Sequence, residues 1–461
     1  MNLKAFKAYD VRGRIPDEIN TDLARRLGHA YAAFVKPKKV IVGRDIRHSS
    51  EELVQALTIG LLESGVDVYD IGLCGTEGVY YATFAERMDG GIMVTASHNP
   101  PDYNGMKFVR EGSRPISGDT GLFTMRDWLA ANATEQRATG GGQRAGRRHV
   151  LATGARYLEH LLGYVDRSKL RRLKVVVNAG NGGAGLIVDQ LEPHLPFEFV
   201  KLNNAPDGSF PNGVPNPMIE ANRTSTIEAI RRSGADVGIA WDGDYDRCFF
   251  FDEQGTFIEG YYLVGLLAEV FLKREKGGRI VHDPRLTWNT LDVVQKNGGK
   301  AVLSKSGHAF IKQVMREVDG IYGGEMSAHH YFRDFSYCDS GMIPWLIVLQ
   351  VMCETGKSLS QLVGERMRLF PASGEINRRV PDGPGTIAAI RAKYEPKAVS
   401  VDFTDGLSLE FDRWRMNLRT SNTEPLIRLN VESRGDAALM QAKTAEVLGE
   451  MAKLGAVAAD H

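Results

Sequence analysis

Three short β-branched runs, each separated from the next by a stretch with helical spacing, constrain the first part of this 461-residue chain most strongly. The runs at 39–43 (KVIVG), 66–71 (VDVYDI) and 91–95 (GIMVT) predict strands, and the stretches at 51–63 and 78–87 predict helices. Alternation of strand and helix predicts a mostly parallel sheet covered by helices.

Two weaker copies of this pattern follow along the chain. A strand at 174–178 (KVVVN) opens onto a glycine-rich turn, and a later strand is predicted at 236–241. Strands at 279–282 and 301–304, with a helix near 290–296, make the third copy. The copies are alike in the order of their strands and helices but have little sequence similarity, so a threefold α/β repeat is a hypothesis.

The region after Phe370 follows a different pattern. Prolines interrupt its helices, three apparent strands lie close together at 408–411, 415–418 and 427–431, and a helix at 437–452 closes the chain. Adjacent strands with helices to one side predict a separate α+β domain.

A chain of this length is too long for one hydrophobic core. The glycine-rich stretch at 132–148 is typical of a linker and gives the first boundary. We therefore predict three similar α/β domains with mixed or parallel sheets and a C-terminal α+β domain around a central cleft. The predicted ranges are 1–145, 146–250, 251–368 and 369–461.

The charge balance limits the kind of partner. Lys plus Arg and Asp plus Glu are equal at 57 each, whereas nucleic acid and anionic membranes favour a strong basic excess. The four cysteines form no CxxC pair, and the apolar run at 342–352 is too short to span a bilayer. We expect a soluble, cytoplasmic protein, a monomer or weak homo-oligomer, that binds small molecules and neither nucleic acid nor membranes.

The first motif that carries chemistry is TASHNP at 95–100, directly after the strand GIMVT. Loops at the carboxyl ends of parallel strands are where open α/β sheets bind ligands. Ser97 could be a nucleophile there, with His98, Asn99 and Lys107 able to hydrogen-bond phosphate oxygens. The alternative is a polar turn ended by two prolines.

The second motif is DGDYDR at 242–247. Asp242, Asp244 and Asp246 can converge on one hard divalent cation when the loop curls. An EF-hand is disfavoured because Arg247 stands where that motif has glycine and because strands, not helices, flank the loop. A solvated acidic turn remains an alternative, although burial between apolar strands would be costly without a cation.

Two further loops complete the set. In GGEMSAHH at 323–330, Glu325 and Ser327 can contact neighbouring sugar hydroxyls. The adjacent histidines suggest zinc, but side chains at neighbouring positions diverge, so we expect His329 to face the ligand and the other to be structural. In RTSNTEP at 419–425, one arginine and three short polar side chains suit a phosphate dianion, or alternatively an ordinary loop.

The four motifs, in this order, resemble those of the α-D-phosphohexomutase superfamily, and most closely its bacterial phosphomannomutase and bifunctional phosphomannomutase/phosphoglucomutase members. The resemblance extends from FKAYDVRG at 6–13 to NVES at 430–433, essentially the whole chain. The combination of motifs is highly specific to that superfamily.

The resemblance implies a phosphoserine at Ser97 and Mg²⁺ held by Ser97, Asp242, Asp244 and Asp246. It implies catalytic or charge-stabilising roles for Arg12, Lys107 and His329. The residues implied to bind substrate are Tyr9, Arg247, Arg285, His308, Glu325, Ser327, His329, Arg419, Ser421, Asn422 and Thr423.

The activity implied is reversible conversion of mannose 6-phosphate and mannose 1-phosphate, and of the glucose phosphates, through phosphoserine and a hexose 1,6-bisphosphate. A metal-dependent phosphatase and a non-catalytic sugar-phosphate binder are competing interpretations. A serine hydrolase is disfavoured because no GxSxG motif is present and because adjacent Ser97 and His98 are not expected to make the nucleophile–base contact.

Overall fold

The computed structural model describes residues 3–132, 145–420 and 426–459. The chain divides into two units: the first comprises Met1–Thr256 and Cys338–Gly356, and the second comprises Phe257–Tyr337 and Lys357–His461. Most of the predicted linker at 132–148 lies outside the described residues.

The first sheet of the first unit contains the strands predicted from the opening β-branched runs. Its strands and helices are β1 (Val11–Arg14), α1 (Thr21–Val35), β2 (Lys39–Arg44), α2 (Ser50–Glu63), β3 (Asp67–Leu73), α3 (Thr76–Ala85), β4 (Gly90–Val94), β5 (Tyr103–Arg110), β6 (Arg114–Pro115), α4 (Leu122–Ala131) and β7 (Arg148–Val150).

The strand order of this sheet is β1-β5-β4-β2-β3-β7, with β6 paired to β5. Strands β4, β2, β3 and β7 run parallel, whereas β5 is antiparallel to both β1 and β4. The sheet is therefore mixed, and strand β7, which follows the predicted linker, belongs to it. Fully buried side chains such as Leu57 and Val68 form its core, and each contributes about 1.5–3 kcal/mol of stability by leaving water.

The second sheet of the first unit follows the same plan. Its elements are α5 (Gly154–Leu162), β8 (Lys174–Asn178), α6 (Ala184–Leu191), β9 (Glu198–Leu202), α7 (Thr224–Ser233), β10 (Val237–Trp241) and β11 (Cys248–Phe251). Strand β8 is parallel to β9 and β10, and β11 is antiparallel to β10. All residues of β10 and β11 are buried, so the acidic loop between them leaves and enters the core.

The second unit begins with the third copy of the pattern. After the short strand β12 (Phe257–Ile258), which does not belong to the third sheet, its elements are α8 (Gly260–Arg274), β13 (Arg279–His282), α9 (Trp288–Lys296), β14 (Lys300–Leu303), α10 (His308–Val318), β15 (Tyr322–Gly324) and β16 (His330–Phe332). Strand β13 is parallel to β14 and β15, and β16 is antiparallel to β15. The chain then returns to the first unit as β17 (Cys338–Asp339) and α11 (Ile343–Thr355).

The remainder of the second unit contains the predicted α+β domain. Its elements are α12 (Leu359–Leu369), β18 (Ile376–Arg379), α13 (Gly383–Tyr394), β19 (Ser400–Asp402), β20 (Leu407–Glu410), β21 (Trp414–Thr420), β22 (Leu426–Ser433), α14 (Ala437–Lys453) and β23 (Val457–Ala458). The strand order is β19-β20-β21-β22-β18-β23, and every pair recorded between these strands is antiparallel. The three strands predicted after residue 400 and the closing helix are confirmed.

Two expectations from the sequence, about disulfides and about membrane-spanning segments, can be compared with the structure. None of the four cysteines forms a disulfide, in agreement with the expected lack of a disulfide framework. The apolar run at 342–352 forms most of helix α11, in which ten residues are buried. Within the described ranges no helix has both the length and the apolar character required to cross a membrane.

Candidate active site

Ser97 lies three residues beyond the end of β4 and is 4% exposed. Its backbone has φ of +50°, in the left-handed region that non-glycine residues seldom adopt. The Ser97 amide donates to Oγ1 of Thr95 at 2.9 Å, which holds the turn. The Ser97 hydroxyl donates to Oδ2 of Asp242 at 3.0 Å, so the first two motifs meet within the first unit.

The acidic loop packs closely against the Ser97 loop. A Cβ placed on Gly243 would lie 2.5 Å from the Ser97 carbonyl oxygen, so only glycine permits this approach. Tyr245 is buried, and its hydroxyl accepts from the amide of Gly75 at 2.7 Å. The carbonyl of Asp244 accepts from the amide of Thr76 at 3.2 Å, at the start of α3.

The three aspartates of the acidic loop form one buried cluster. Asp242, Asp244 and Asp246 are each at most 1% exposed, and one carboxylate oxygen from each lies within 4.8 Å of the others. The Lys107 ammonium donates to Oδ2 of Asp244 and of Asp246 at 2.7 Å each. Burial raises the pKa of Asp244, but Lys107 more than offsets this, so the pKa lies well below its usual range.

Arg247 provides the second cation of this cluster. Its Nε donates to Oδ2 of Asp242 at 2.8 Å, and its Nη2 donates to Nδ1 of His98 at 2.5 Å. Burial, followed by the charges of Arg247 and Arg12, lowers the pKa of His98 well below its usual range. His98 is therefore neutral, with Nδ1 acting as an acceptor.

One sequence expectation about this loop is wrong. The Ser97 hydroxyl does contact Nδ1 of the adjacent His98, at 3.1 Å, because the left-handed turn at Ser97 brings neighbouring side chains to the same side. Nδ1 already accepts from Arg247, however, so His98 is not arranged as a base dedicated to Ser97.

Other predicted residues of the first unit lie around this loop. The Arg12 Nη1 donates to Oδ1 of Asn99 at 2.7 Å, and Nη2 pairs with Asp10. Tyr9 is partly exposed. Thr76, whose hydroxyl donates to Asp244, was not predicted. It begins helix α3, 168 residues before Asp244, and no motif around it indicates a role in the site.

Arg285 is the centre of a second cluster, in the second unit. Its Nη2 lies 2.7 Å from Oδ2 of Asp283, 3.3 Å from Oε1 of Glu325 and 3.1 Å from Oγ of Ser327. Glu325 also accepts from the hydroxyl of Tyr331 at 2.5 Å. The predicted sugar-binding residues of the 323–330 loop are thus fixed around one guanidinium.

The two adjacent histidines of this loop have different surroundings. His330 lies in β16, is fully buried and contacts the hydroxyl of Tyr322 at 2.7 Å through Nδ1. Burial lowers the pKa of His330 to about 3. His329 is partly exposed, and the centre of its ring lies 6.5 Å from that of His308.

Glu375 connects Arg285 to the predicted phosphate loop. Its carboxylate pairs with Arg419 at 2.9 Å, with Arg428 at 3.3 Å and with Arg285 at 3.5 Å. Burial raises the pKa of Glu375, but the three guanidinium groups lower it to about 2. Sequence reasoning missed Glu375, because it precedes β18 with no motif around it.

Arg419 and Thr420 are the residues of the predicted phosphate loop at 419–425 that the structure describes. Arg419 lies near the end of β21 and is 8% exposed. Its Nε–H has no acceptor among the described residues, and the same is true of the Nε–H of Arg285. The predicted residues Ser421, Asn422 and Thr423 lie outside the described ranges.

Comparison with known proteins gives a consistent answer along the chain. Residues 3–122, 155–255 and 259–370 match models of phosphoglucomutase/phosphomannomutase α/β/α domains I, II and III, and residues 375–449 match the C-terminal domain of the same family. A "Phosphohexose mutases" protein of Xanthomonas campestris pv. campestris is 59% identical over 447 residues, covering 97% of this chain and 99% of that protein.

Two further relatives support this assignment. A protein of Escherichia coli named phosphomannomutase is 56% identical, covering 97% of this chain and 98% of that protein. A crystal structure of a phosphoglucomutase/phosphomannomutase family protein from Burkholderia thailandensis has a TM-score of 0.88 at 32% identity and covers 99% of both chains. The chain therefore belongs to the phosphoglucomutase/phosphomannomutase family and is an isomerase, a phosphohexose mutase.

Proposed function

We propose that this enzyme is a phosphomannomutase that also accepts glucose phosphates and transfers phosphate through Ser97. One observation carries the proposal: the Ser97 hydroxyl lies 3.0 Å from Asp242 in a buried group of carboxylates and cations. The names of its relatives support mannose as a substrate. We further propose four domains with boundaries near residues 145, 250 and 368.

The residues of the acidic cluster fit a magnesium ion. Three buried carboxylates face two cations, Lys107 and Arg247, which leaves an excess of negative charge. Oδ1 of Asp244 is buried and has no donor among the described residues. All-oxygen sites of this kind suit hard divalent cations. We propose that Asp242, Asp244 and Asp246 hold Mg²⁺ together with a phosphate oxygen on Ser97.

Bound Mg²⁺ would neutralise charge on the phosphoryl group and make the seryl oxygen a better leaving group. The chain's own groups then act on the same phosphate. Lys107 and Arg247 supply fixed positive charge beside Ser97, where burial strengthens their effect. Arg12, Lys107 and His329 are the groups we assign to proton handling and charge stabilisation.

The cluster around Arg285 has the chemistry to bind the rest of the substrate. Glu325 and Ser327, with His308 and His329, would bind sugar hydroxyls. Arg419, with Ser421, Asn422 and Thr423, would hold the phosphate that is not reacting, and its Nε–H is a donor still available to an anion. Tyr9 would also contact substrate.

The reaction then follows in two transfers. Phosphoserine gives its phosphoryl group to the free hydroxyl of the bound sugar phosphate. The proton of that hydroxyl passes to the departing Ser97 oxygen through the groups assigned to proton handling, and a hexose 1,6-bisphosphate forms. This intermediate reverses its orientation, and its other phosphoryl group returns to Ser97. Exclusion of water is needed throughout, because hydrolysis would remove the phosphate from Ser97.

An assay with mannose 1-phosphate tests this proposal against its competitors. A mutase converts mannose 1-phosphate into mannose 6-phosphate with almost no release of inorganic phosphate, and a hexose 1,6-bisphosphate restores activity to dephosphorylated enzyme. A phosphatase would release inorganic phosphate, and a binding protein would show neither reaction. Stoichiometric phosphate release without the isomer would overturn the proposal.

A further inference from the structure

The side chain of Arg47 lies beneath the Ser97 loop and is 3% exposed. Its Nη1 donates to the carbonyl oxygens of Pro100 at 2.6 Å and Tyr103 at 3.0 Å. Its Nη2 donates to the carbonyl oxygens of Ser97 at 3.0 Å and Asn99 at 2.6 Å. One guanidinium thus binds four carbonyl groups in the segment from Ser97 to Tyr103, the first residue of β5.

Arg47 is itself held in place from two sides. Oδ1 of Asp45 accepts from the Arg47 amide at 3.0 Å and from the Ser50 hydroxyl at 2.5 Å. Oδ2 of Asp45 lies 3.3 Å from Nε of Arg47, and the guanidinium lies 5.2 Å from the centre of the Phe210 ring. These contacts fix the orientation of the guanidinium plane and its position beneath the Ser97 loop.

The Ser97 loop needs an anchor of this kind. The left-handed backbone at Ser97 is unfavourable for a residue with a side chain, so surrounding contacts must stabilise it. The Ser97 carbonyl is buried at this contact and also needs a donor, because an unpaired buried carbonyl is costly. A guanidinium offers five donors in a fixed plane, whereas the ammonium of lysine cannot reach four carbonyl groups in one geometry.

We propose that Arg47 is a positioning residue for phosphoryl transfer. It fixes the backbone of the Ser97 loop and thereby aims the Ser97 hydroxyl at Asp242. This inference rests on the proposed role of Ser97. Arg47 acts through carbonyl groups of the chain and binds no substrate, so its loss should lower kcat and leave KM nearly unchanged.

Kinetics of Arg47→Lys and Arg47→Gly test the proposal in the full-length enzyme with Mg²⁺ and mannose 1-phosphate. We expect kcat to fall roughly 100-fold, the scale of a misplaced reacting group, with KM within about threefold. Guanidinium chloride in the ~10 mM range should raise kcat of Arg47→Gly about tenfold or more, because the ion can donate to the same carbonyl groups. Sodium chloride at equal ionic strength should not.

Arg44→Ala is the matched control. Arg44 is the last residue of β2, three residues before Arg47, but its partly exposed guanidinium pairs with Glu51 at 2.5 Å. Partly exposed pairs contribute little to stability, so kcat should stay within about twofold of the wild-type value.

Hydrogen exchange provides a readout that does not depend on activity. Amides in the 95–104 segment should exchange faster in Arg47→Lys than in wild type, with exchange elsewhere and far-UV circular dichroism unchanged. A wild-type enzyme without mutase activity would refute the proposed function but leave this exchange result intact. The proposal would be contradicted if amide exchange in Arg47→Lys matched wild type or if kcat stayed within about twofold of wild type. It would also be contradicted if guanidinium left the loss of kcat unchanged, or if KM rose as much as kcat fell.

Discussion

The clusters around Ser97 and around Arg285 handle charge in different ways. Around Ser97, three aspartates face Lys107 and Arg247. Around Arg285, three arginines face three carboxylates, so the charges are matched; the group is Arg285, Arg419 and Arg428 with Asp283, Glu325 and Glu375. The first cluster is short of positive charge and should recruit a cation. In the second cluster each arginine already pairs with Glu375, so an incoming phosphate must share the arginines with this carboxylate.

The largest effect should come from the nucleophile of the first cluster. Ser97→Ala removes the hydroxyl that carries the phosphate, and kcat should fall by roughly 10⁴-fold or more, as expected for loss of a nucleophile. Mannose 1-phosphate turnover measures this, and circular dichroism checks the fold. Ser168→Ala, at an exposed serine, is the control. Near-normal turnover of Ser97→Ala would show that another group carries the phosphate.

The charge deficit of the first cluster predicts the next largest effect. Chelation with EDTA should abolish turnover, and Mg²⁺ should restore it. Asp244→Asn removes one carboxylate charge, and we expect kcat to fall by roughly 10²–10³-fold, because a metal contributes several kcal/mol to the transition state. Titration of activity with Mg²⁺ should also show weaker binding. Full activity after chelation would refute the metal site.

Glu375→Gln tests whether the second cluster positions its arginines through a carboxylate. Hydrogen bonds to charged groups contribute about 1.5–3 kcal/mol, so we expect KM for mannose 1-phosphate to rise roughly tenfold with a smaller change in kcat. The exposed Glu365→Gln is the control. A KM that falls would mean that Glu375 competes with the substrate phosphate and does not orient Arg419.

The smallest effect concerns His330, which we place in the core of the second unit and outside the site. Its pKa is 6.5 in a free chain and about 3 when folded, so below pH 6.5 the unfolded state binds a proton that the folded state does not. Stability should therefore fall as the pH decreases, by about 1.4 kcal/mol between pH 7.5 and pH 5.5.

Urea unfolding of His330→Asn at both pH values measures this contribution. The variant should lose about 1.4 kcal/mol less than wild type over the same interval and keep its kcat. The exposed His194→Asn should behave as wild type. An unchanged pH dependence in His330→Asn would contradict the assignment, and a large loss of kcat would place His330 in the site.

In the first cluster the sequence predicted Ser97 and the three aspartates, because these residues follow buried strands within short motifs, whereas Thr76 gave no signal. Ser97 follows β4 and the aspartates follow β10, and buried strands are readily identified by their β-branched residues. Strand β5, which is antiparallel to its neighbours in the first sheet, was not predicted. Strand β5 has the sequence YNGMKFVR, which carries no clear alternation.

The second cluster was only partly predictable. Arg285, Glu325 and Arg419 come from the family motifs, but Glu375 pairs with Arg419 across 44 residues of chain. Arg47 presents the same difficulty, because the carbonyl groups that it binds lie 50 to 56 residues ahead. A single charged residue outside a motif gives no local signal, since only tertiary contacts determine whether it is a solvated surface group or an anchor.

The most direct test of the central claim follows one phosphate. Enzyme labelled with radioactive phosphate on Ser97 is mixed with mannose 6-phosphate, and the reaction is quenched within a single turnover. The account predicts that the label leaves Ser97 and appears in mannose 1,6-bisphosphate and then in mannose phosphate. Label that stays on the protein, or that appears only as inorganic phosphate, would contradict it.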